Sequence, residues 1–384
     1  MAGFLKSSPR KFLVVALLAI WYVMVLYNGL LRLPRGGRGH TSRTGRVVRR
    51  PEAHGGWRQV LASWNPHYIT QSRVEGEVVN PYPGQVRFKM SEEACREPPL
   101  VLAAVVTAVE NRLRRQFVRR TWGHPSLAQD TGVKPLFVVG EVQDPKQQAM
   151  LIEESEQHHD MIQANFIDSY VNLSYKTTAL LTWATRHCPN TPFILKIDDD
   201  VILNPIALRE FLLAYLRYNP HPVNILGNVR HCDPVVRWGK WAMPVDIYPD
   251  HEYPSYVAGP SYLVPIAIVP TLLDAISRTR FLFLEDVYTT GLAAKRAGIG
   301  HYNIYSLTSY LAEDIDYRWS TGSAVFQENV DFNEAVRGWN ILRKLEKIAA
   351  PPYNPQSTDP SSSNVLETKN KRHIDGDRIS RPNG

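Results

Sequence analysis

The chain has 384 residues, of which 44% are hydrophobic and 21% are charged, so it is long enough for one large hydrophobic core with appendages. The net charge of +7 arises near the N-terminus, because residues 1–60 hold eleven Lys and Arg but only one acid, Glu52. The rest of the chain is slightly acidic. The charge distribution therefore excludes a basic nucleic-acid-binding domain, and we expect no nucleic-acid partner.

An uncharged stretch near the N-terminus, Phe12 to Leu31, predicts a transmembrane helix. A helix of this length spans a bilayer at about 1.5 Å per residue. A cleaved signal peptide is the alternative, but such a peptide ends in small residues, whereas Arg32-Leu33-Pro34 follows here. We interpret residues 12–31 as an uncleaved signal anchor behind a cytoplasmic tail of residues 1–11. Basic residues flank both ends, so charge alone does not set the orientation.

Residues 32–95 and 96–345 differ in pattern, which predicts a stem followed by one α/β domain. The stem range is rich in Arg, Gly and Pro and has no sustained helical or strand period. In the domain range, apolar runs alternate with helix-like segments, which is typical of βαβ units in a mostly parallel sheet with helices on both faces. The predicted strands are Pro99–Val109, Lys134–Val139, Met161–Ile167, Phe193–Ile197 and Val223–Leu226. The predicted helices are Asn111–Trp122, Asp144–His159, Ser174–His187 and Pro205–Tyr218.

The second half of the chain is less regular. Residues 229–262 are dense in Trp, Tyr, Pro and Gly, which predicts long functional loops over one end of the sheet. Glu285 to Ala297 has the pattern of a helix that starts with acidic residues and stops at Gly298. Residues 346–384 are rich in Pro, Ser, Asn and Lys, and we expect a disordered tail there.

The three cysteines, Cys95, Cys188 and Cys232, do not have the spacing of a structural zinc site. They leave room for one disulfide in an oxidising compartment, with one thiol left over. Because Cys95 and Cys188 both flank predicted strands, we expect that pair, with Cys188–Cys232 as the alternative. One N-x-S/T sequon, at Asn172, predicts a single N-linked glycan on a lumenal domain.

Three consecutive carboxylates, Asp198, Asp199 and Asp200, follow the apolar run Phe193–Ile197. Anions this close repel one another, so a fold that keeps them at a strand end is expected to place a cation there. Carboxylate oxygens suit Mg²⁺ or Mn²⁺, and ligands bind at the carboxyl ends of strands in open α/β sheets. One aspartate would be enough to cap the helix that begins near Pro205, but three exceed what a cap needs.

Two further segments carry candidate functional residues. Glu285 and Asp286 stand at the start of the helix predicted for Glu285 to Ala297, so Asp286 is either an N-terminal cap or a general base beneath the loops. Arg115 and Arg119 share one helix face. These two arginines either bind a diphosphate or form a solvated basic surface.

Together these segments resemble, in order and spacing, the β1,3-glycosyltransferases, which are galactosyl- and N-acetylglucosaminyltransferases of the Golgi. Five segments of this chain match motifs of the family. Arg115–Gly123 matches R-x-x-[IV]-R-x-T-W-G, Asp168–Thr177 matches D-S-Y-x-N-L-[ST]-x-K-T, and Lys196–Val201 matches K-x-D-D-D-V. Tyr253–Gly259 matches Y-P-x-Y-x-x-G, and Glu285–Tyr288 matches E-D-V-Y. Lys240-Trp241 precedes the fourth of these runs, and the resemblance covers roughly residues 95–345.

The resemblance implies a GT-A fold with a Rossmann-like sheet, and an inverting transfer of a sugar from a UDP-sugar to a glycoprotein or glycolipid. It also implies a single-pass type II Golgi membrane protein with a lumenal catalytic domain. On this resemblance Asp198 and Asp200 hold Mn²⁺, and Asp286 is the general base. The implied UDP-sugar site consists of Arg115, Arg119, Lys176, Asp199, Trp241, Gly259 and Glu285.

The chain departs from the family pattern at two positions. Ser261 stands where many members have a glycine, and Phe326 stands where many have a histidine that is a further metal ligand. His301 does not occupy the matching position. A sugar-nucleotide- or glycan-binding protein with poor activity therefore remains the alternative to an active enzyme. The overall pattern favours UDP-galactose as donor, with UDP-N-acetylglucosamine as the alternative, and the sequence does not fix the acceptor.

Overall fold

The structure, a computed structural model, describes residues 72–74, 77–80, 82–91, 95, 97–309, 315–320, 324–328, 330–348 and 353. The predicted cytoplasmic tail, the transmembrane segment 12–31, most of the stem and most of the C-terminal tail lie outside these residues. Within the described part of the chain, no helix combines the length and apolar character needed to cross a membrane.

The described strands are β1 (Ser72–Val74), β2 (Glu77–Val79), β3 (Phe88–Met90), β4 (Val101–Val106), β5 (Val133–Glu141), β6 (Met161–Ile167), β7 (Phe193–Asp198), β8 (Ile202–Leu203), β9 (Ile225–Arg230), β10 (Tyr256–Pro265), β11 (His301–Asn303), β12 (Thr308–Ser309) and β13 (Phe326–Gln327). The described α-helices are α1 (Tyr82–Gln85), α2 (Arg112–Arg120), α3 (Pro125–Thr131), α4 (Pro145–His158), α5 (Leu173–His187), α6 (Pro205–Tyr218), α7 (Val269–Ser277), α8 (Ala294–Ala297), α9 (Ile315–Ser320) and α10 (Phe332–Leu345). A π-helix, Val287–Ala293, leads into α8.

Among the described residues, eight strands form one large sheet in the order β11-β9-β10-β7-β4-β5-β6-β3. The neighbours β7, β4, β5 and β6 run parallel, as the βαβ pattern predicted, and β11 runs parallel to β9. However, β10 is antiparallel to both β7 and β9, and β3 is antiparallel to β6. The sheet is therefore mixed rather than mostly parallel.

Helices cover both faces of this sheet. Successive residues of a strand point to opposite sides, so alternate residues of one strand belong to two different hydrophobic clusters. Leu102 and Ala104 of β4 share a hydrophobic cluster with residues of α5 and α7. The alternate residues Val101, Ala103 and Val105 share a second cluster with residues of α2, α6 and α10. A strand buried on both faces is a continuous apolar run, which is why β4 was predictable from sequence.

The predicted helices in the βαβ half are confirmed to within two residues, and their starts have a local cause. Asp144 accepts a hydrogen bond from the N–H of Lys146 at 2.9 Å, and Asn204 accepts one from the N–H of Ala207 at 3.0 Å. A proline follows each of these caps. Because Asn204 caps α6, none of the three preceding aspartates is needed as its cap.

Residues 256–265, which lie partly in the range predicted as loops, instead form the central strand β10. Gly259, Pro260 and Pro265 interrupt its apolar pattern and hide it in the sequence. The register of β10 against β9 shifts between Val257 and Tyr262, and this irregularity accommodates the Gly-Pro pair.

The folded part of the chain begins earlier and ends later than the predicted domain boundaries. Tyr82 of α1 is buried, and β3 pairs with β6, although both elements lie in the predicted stem. At the other end, Tyr353 packs edge-on against Phe117 and Phe332, in the range predicted as a disordered tail. Elements of three or four residues show too few repeats for a period to be recognised in the sequence.

The disulfide prediction is confirmed, because Cys95 is bonded to Cys188. Cys232 is a free, exposed thiol. The bond ties the segment before β4 to the C-terminal cap of α5 and closes a loop with a sequence separation of 93 residues. A cross-link over that length stabilises a fold by about 4 kcal/mol, mainly through the unfolded chain.

Candidate functional site

The predicted carboxylates lie at the carboxyl ends of two adjacent parallel strands. Val106 of β4 pairs with Asp198 of β7, and the chain leaves the sheet directly after both residues. From β4 the chain continues to β5 on one side, whereas β7 lies on the other side, so the order of the strands reverses here. Ligands bind at such a switch point in open α/β sheets.

Asp199 joins the turns that follow these two strands. Its Oδ2 accepts hydrogen bonds from Thr107 Oγ1 at 2.6 Å and from Asn111 Nδ2 at 2.9 Å. The guanidinium of Arg114 lies 4.0 Å from Oδ1 of Asp199, and the side chain of Asp199 is 11% exposed. The sequence predicted that Asp199 contacts the UDP-sugar, but this geometry favours a role in positioning the β4 turn.

A buried ammonium group, Lys196 Nζ, connects the aspartate turn with the start of the π-helix. It lies 2.5 Å from Asp198 Oδ1 and 3.7 Å from Glu285 Oε2, and it donates to the Gly259 carbonyl. Burial acts to lower the pKa of Lys196, but the charges of Asp198 and Glu285 raise this pKa above its usual value. Glu285 is buried and also accepts a hydrogen bond from Tyr262 Oη at 2.6 Å, so both of its oxygens have internal partners. Its contact with the UDP-sugar stays a prediction.

Asp198 and Asp200 are the carboxylates of the turn that can hold the predicted Mn²⁺. The pKa of Asp198 is raised to about 7 by burial and by the carboxylates of Asp200 and Glu285, although Lys196 acts in the opposite direction. A hard divalent cation relieves this crowding of anions, so the donor set fits Mn²⁺. Among the described residues, no group of three or more His, Cys, Asp or Glu side chains is arranged so that it could hold a metal ion.

Asp286 lies immediately before the π-helix, a type of helix that is rare and frequent at functional sites. Its Oδ1 accepts the N–H of Val287 at 2.8 Å, and its Oδ2 accepts the N–H of Gly259 at 3.1 Å. Burial and the charge of Glu285 raise the pKa of Asp286 to about 6, against the two N–H groups and Lys196, which lower it. A carboxylate with this pKa is ionised at neutral pH and binds a proton readily, as a general base must.

Gly259 links the two groups of carboxylates through its backbone. Its carbonyl accepts from Lys196, while its N–H donates to Asp286. A Cβ atom on residue 259 would lie 3.2 Å from both Cβ and Oδ2 of Asp286. Glycine is therefore needed here because Asp286 approaches the backbone closely. The sequence predicted Gly259 as a contact of the UDP-sugar, and the structure places it as a support of Asp286.

Arg115 is buried beneath the turn that follows β4. It donates to both carboxylate oxygens of Glu154 at 2.8 Å, and to the carbonyls of Ala108 and Val109 at 2.7 and 3.0 Å. Arg119 donates to the same Glu154 at 2.7 Å. Two further nitrogens of Arg119 bind Asp160. These partners form an ion network that holds the turn in place, and the contact of the two arginines with UDP stays a prediction.

We expect Glu154→Gln to lower the free energy of unfolding by about 3 kcal/mol at pH 7, because two buried guanidinium groups lose their shared carboxylate. Burial acts to raise the pKa of Glu154, but Arg115 and Arg119 hold this pKa at about 2, below its usual value of 4.5. The depressed pKa means that this stabilisation is complete above pH 4.5 and is lost as the pH falls towards 2.

Urea unfolding of Glu154→Gln and of the unchanged protein at pH 7 and pH 3 measures this effect, and the difference should shrink at pH 3. The control is Glu153→Gln, which changes an exposed neighbour on α4. Equal losses of stability for the two variants at pH 7 would contradict the role given to Glu154.

Lys176 fastens the carboxyl ends of three strands. Its Nζ donates to the carbonyl of Thr107 at 2.7 Å and lies 2.9 Å from both carboxylate oxygens of Asp168. Asp168 in turn accepts the N–H of Gly140 at 2.6 Å. These partners lie at the ends of β4, β6 and β5. Lys176 is buried, so it shapes the site from within, where the sequence predicted a contact with UDP.

An exposed aromatic pair borders the carboxylates. Trp241 Nε1 donates to Tyr170 Oη at 3.1 Å, and the Lys240 ammonium lies 5.2 and 5.7 Å from the centres of the two rings. Burial raises the pKa of Tyr170, the hydrogen bond with Trp241 lowers it, and the charges of Asp286 and Asp198 raise it further. The sequence predicted Trp241 as a site residue. It did not single out Tyr170 as one, because an aromatic residue before a helix is usually part of the hydrophobic core.

The residues that depart from the family pattern, and His301 nearby, all have partners inside the protein. Phe326 is buried in the second hydrophobic cluster and offers no metal ligand. The hydroxyl of Ser261 donates to the buried carboxylate of Glu328 at 2.7 Å. His301 Nε2 lies 2.7 Å from the carbonyl of Thr290.

Asn172, the predicted glycosylation site, is 6% exposed, and its Nδ2 donates to the carbonyl of Ile167 at 2.8 Å. Ser174, the third residue of the sequon, is also buried and donates to the carbonyl of Leu282. A glycan would therefore have to be attached before this segment folds. The glycan stays a prediction, and an unchanged mass after glycosidase treatment would refute it.

Comparison with known proteins adds independent evidence. The family model described as Galactosyltransferase matches residues 113–305, just over half of the chain. Beta-1,3-galactosyltransferase 1 of Homo sapiens is 30% identical over 233 residues, which cover 60% of this chain and 71% of that protein. Beta-1,3-galactosyltransferase 2 of Pongo abelii is 31% identical over 227 residues, which cover 56% of this chain and 52% of that protein.

Among solved structures, a glycosyltransferase involved in the glycosylation of the major capsid of PBCV-1 has a TM-score of 0.33 and 12% identity. It covers 64% of this chain and 100% of that chain, but a TM-score this low supports no inference about function. The family match includes both Asp198–Asp200 and Asp286. The chain therefore belongs to the galactosyltransferase family and is a glycosyltransferase.

Proposed function

We propose that the protein is an inverting, metal-dependent β1,3-galactosyltransferase of the GT-A type. It would move galactose from UDP-galactose to a hydroxyl of a glycoprotein or glycolipid. The main support is that the Asp198–Asp200 turn and Asp286 belong to one site, joined through Lys196 and the backbone of Gly259. Similarity to two beta-1,3-galactosyltransferases supports galactose as the transferred sugar.

In this mechanism Asp286 takes the proton of the acceptor hydroxyl while that oxygen bonds to the anomeric carbon of the donor. The bond to UDP breaks on the opposite face, and its electron pair leaves with UDP, so a single displacement inverts the anomeric centre. Asp198 and Asp200 would hold Mn²⁺, which when bound offsets negative charge on the leaving diphosphate. Lys196 keeps Asp198 and the Gly259 backbone together, and thereby fixes the base relative to the nucleotide.

The proposal is tested by incubating the purified full chain in detergent with Mn²⁺, a panel of UDP-sugars and a panel of glycoside acceptors. We expect transfer from UDP-galactose with inversion and a β1,3 linkage. Turnover of UDP-N-acetylglucosamine alone would change the donor. Binding of UDP without turnover of any donor would refute the proposal in favour of a binding protein, the outcome consistent with Phe326 in place of a histidine ligand.

The rate of transfer should depend on pH through Asp286. Because its pKa is raised to about 6, we expect kcat/KM to fall about tenfold per pH unit below that value, as the base becomes protonated and loses the ability to accept a proton. Initial rates from pH 4.5 to 8 measure this limb.

Asp198 also titrates in this range, so the profile should be repeated at several saturating Mn²⁺ concentrations. A limb that belongs to Asp286 stays at the same pH. A midpoint that moves with the Mn²⁺ concentration would contradict the assignment and indicate competition between protons and the metal.

We also propose that the protein is a single-pass type II protein of the Golgi membrane, with residues 12–31 as the anchor and a lumenal catalytic domain. The Cys95–Cys188 disulfide supports a lumenal location, because disulfides persist in oxidising compartments. Protease treatment of intact Golgi vesicles tests the orientation. Digestion of the catalytic domain without detergent would refute it.

A further inference from the structure

The loop that carries Trp241 is held in a defined shape. Arg237 donates to the backbone carbonyls of Met243 and Tyr248 at 2.8 Å and to that of Asp250 at 2.7 Å. Further backbone hydrogen bonds join the start of the loop, near residue 235, to its end, near residue 252. A loop fixed in this way presents its exposed side chains at defined positions without waiting for a ligand to order them.

Two aromatic faces on this surface remain exposed. Trp241 is 56% exposed, and Tyr170 is 44% exposed although Lys240 lies against both rings. The hydrogen bond from Trp241 Nε1 to Tyr170 Oη ties the loop to the segment that leads into α5. The two rings, which together we call the platform, are therefore neighbours although they come from elements that are distant in sequence.

The loop that carries Trp241 is connected to the base at its end. A Cβ atom on Gly291, in the π-helix that follows Asp286, would lie 3.1 Å from Cβ of Tyr256, the residue that ends the loop and begins β10. Three residues further along β10, the N–H of Gly259 donates to Asp286. An acceptor hydroxyl must come within hydrogen-bond distance of the base, whereas the diphosphate lies at the metal carboxylates. A sugar resting on these rings would therefore be the acceptor.

We propose that Tyr170 and Trp241 form the acceptor subsite, where they stack against the C–H face of the acceptor monosaccharide and present its hydroxyl to Asp286. The subsite takes a pyranoside whose axial hydrogens make one ring face apolar. The hydroxyl of Tyr170 also fixes the orientation of Trp241. This inference rests on the proposed glycosyl transfer, which supplies Asp286 as the base, and it assigns Trp241 to the acceptor in place of the UDP-sugar.

The test is binding of methyl β-glycosides of galactose, glucose, xylose, N-acetylglucosamine and N-acetylgalactosamine to the full chain in detergent, with UDP and Mn²⁺ present. Saturation-transfer NMR gives the glycoside affinity, and calorimetry gives the UDP affinity. We expect Trp241→Ala to weaken the best glycoside by about tenfold, since a stacking partner is lost. Trp238→Ala is the matched control, because Trp238 is 77% exposed on the same loop.

The hydrogen bond between the two rings is tested by a double-mutant cycle. Tyr170→Phe and Trp241→Phe should each weaken the glycoside by about fivefold, the value of one neutral hydrogen bond. The double variant should be no weaker than the weaker single variant, because both changes remove the same interaction. Strictly additive losses would refute the role of Tyr170 in orienting Trp241.

The affinity for UDP should stay the same in all these variants. The subsite is overturned if no glycoside binds the unchanged protein, if Trp241→Ala binds glycosides as Trp238→Ala does, or if Trp241→Ala weakens UDP as much as the glycoside. Failure of the proposed function is a separate result. In that case glycosides still bind through Trp241, but no UDP-sugar is turned over.

Discussion

Asp286→Asn is expected to lower kcat for sugar transfer by about 10³-fold and to leave the affinity for UDP unchanged. The amide has the size of the carboxylate but does not accept a proton from the acceptor hydroxyl at neutral pH. The proposed site of the nucleotide is at Asp198 and Asp200 rather than at Asp286, so the loss should appear in kcat. Steady-state kinetics with the best donor and acceptor, together with calorimetry of UDP binding, measures both quantities.

The local cost of this substitution must be separated from the chemistry. Asp286 accepts N–H groups from Val287 and Gly259, one on each oxygen, and an asparagine turns its NH₂ group towards one of them. A mismatched donor of this kind costs about 1–3 kcal/mol of stability. Thermal unfolding of the variant should therefore show a folded protein with a lowered Tm.

Glu285→Gln is the matched control, because it changes the neighbouring buried carboxylate. The glutamine still accepts the hydrogen bond of Tyr262 but no longer balances Lys196. We expect it to be less stable yet active at neutral pH. Its acid limb should move to lower pH, since the charge of Glu285 raises the pKa of Asp286. If Asp286→Asn keeps more than a tenth of kcat while Glu285→Gln loses activity, the base has been misassigned.

The βαβ half of the fold was predictable because its signals are local. Strands buried on both faces, such as β4, are continuous apolar runs, and the caps Asp144 and Asn204 mark where helices begin. β10 was not predictable, because Gly259 and Pro260 break its pattern at the point where the backbone must approach Asp286. Local rules of sequence fail where the site imposes its own geometry.

The candidate site shows the same division. The sequence pointed to Asp198–Asp200 and Asp286 through their motifs, and the structure brings them together. It did not reveal that Arg115 faces Glu154, because the two residues are far apart in sequence and meet only after α4 packs against α2. A basic helix face looks the same in sequence whether it binds a diphosphate or an internal carboxylate. Only the tertiary partner distinguishes these two cases.

The three consecutive aspartates are expected to respond differently to the loss of one charge. Asp200→Asn should lower kcat/KM by about 10²-fold and remove the effect of Mn²⁺ on UDP binding, because a ligand carboxylate of a hard cation is lost. Asp199→Asn should leave the Mn²⁺ effect in place. Its oxygens face Thr107, Asn111 and Arg114, so the cost should instead be about 1–2 kcal/mol of stability.

Calorimetric titration of UDP with and without Mn²⁺, on both variants and the unchanged protein, separates these outcomes, and urea unfolding gives the stability of each. The comparison is well matched because the substitutions are identical in chemistry and adjacent in sequence. The decisive difference is the set of partners, since Oδ2 of Asp199 already accepts hydrogen bonds from Thr107 and Asn111 at the β4 turn. If Asp199→Asn abolished the Mn²⁺ effect and Asp200→Asn retained it, the ligand assignment within the turn would be reversed, and the hydrogen bonds of Asp199 would have to open for the metal to bind.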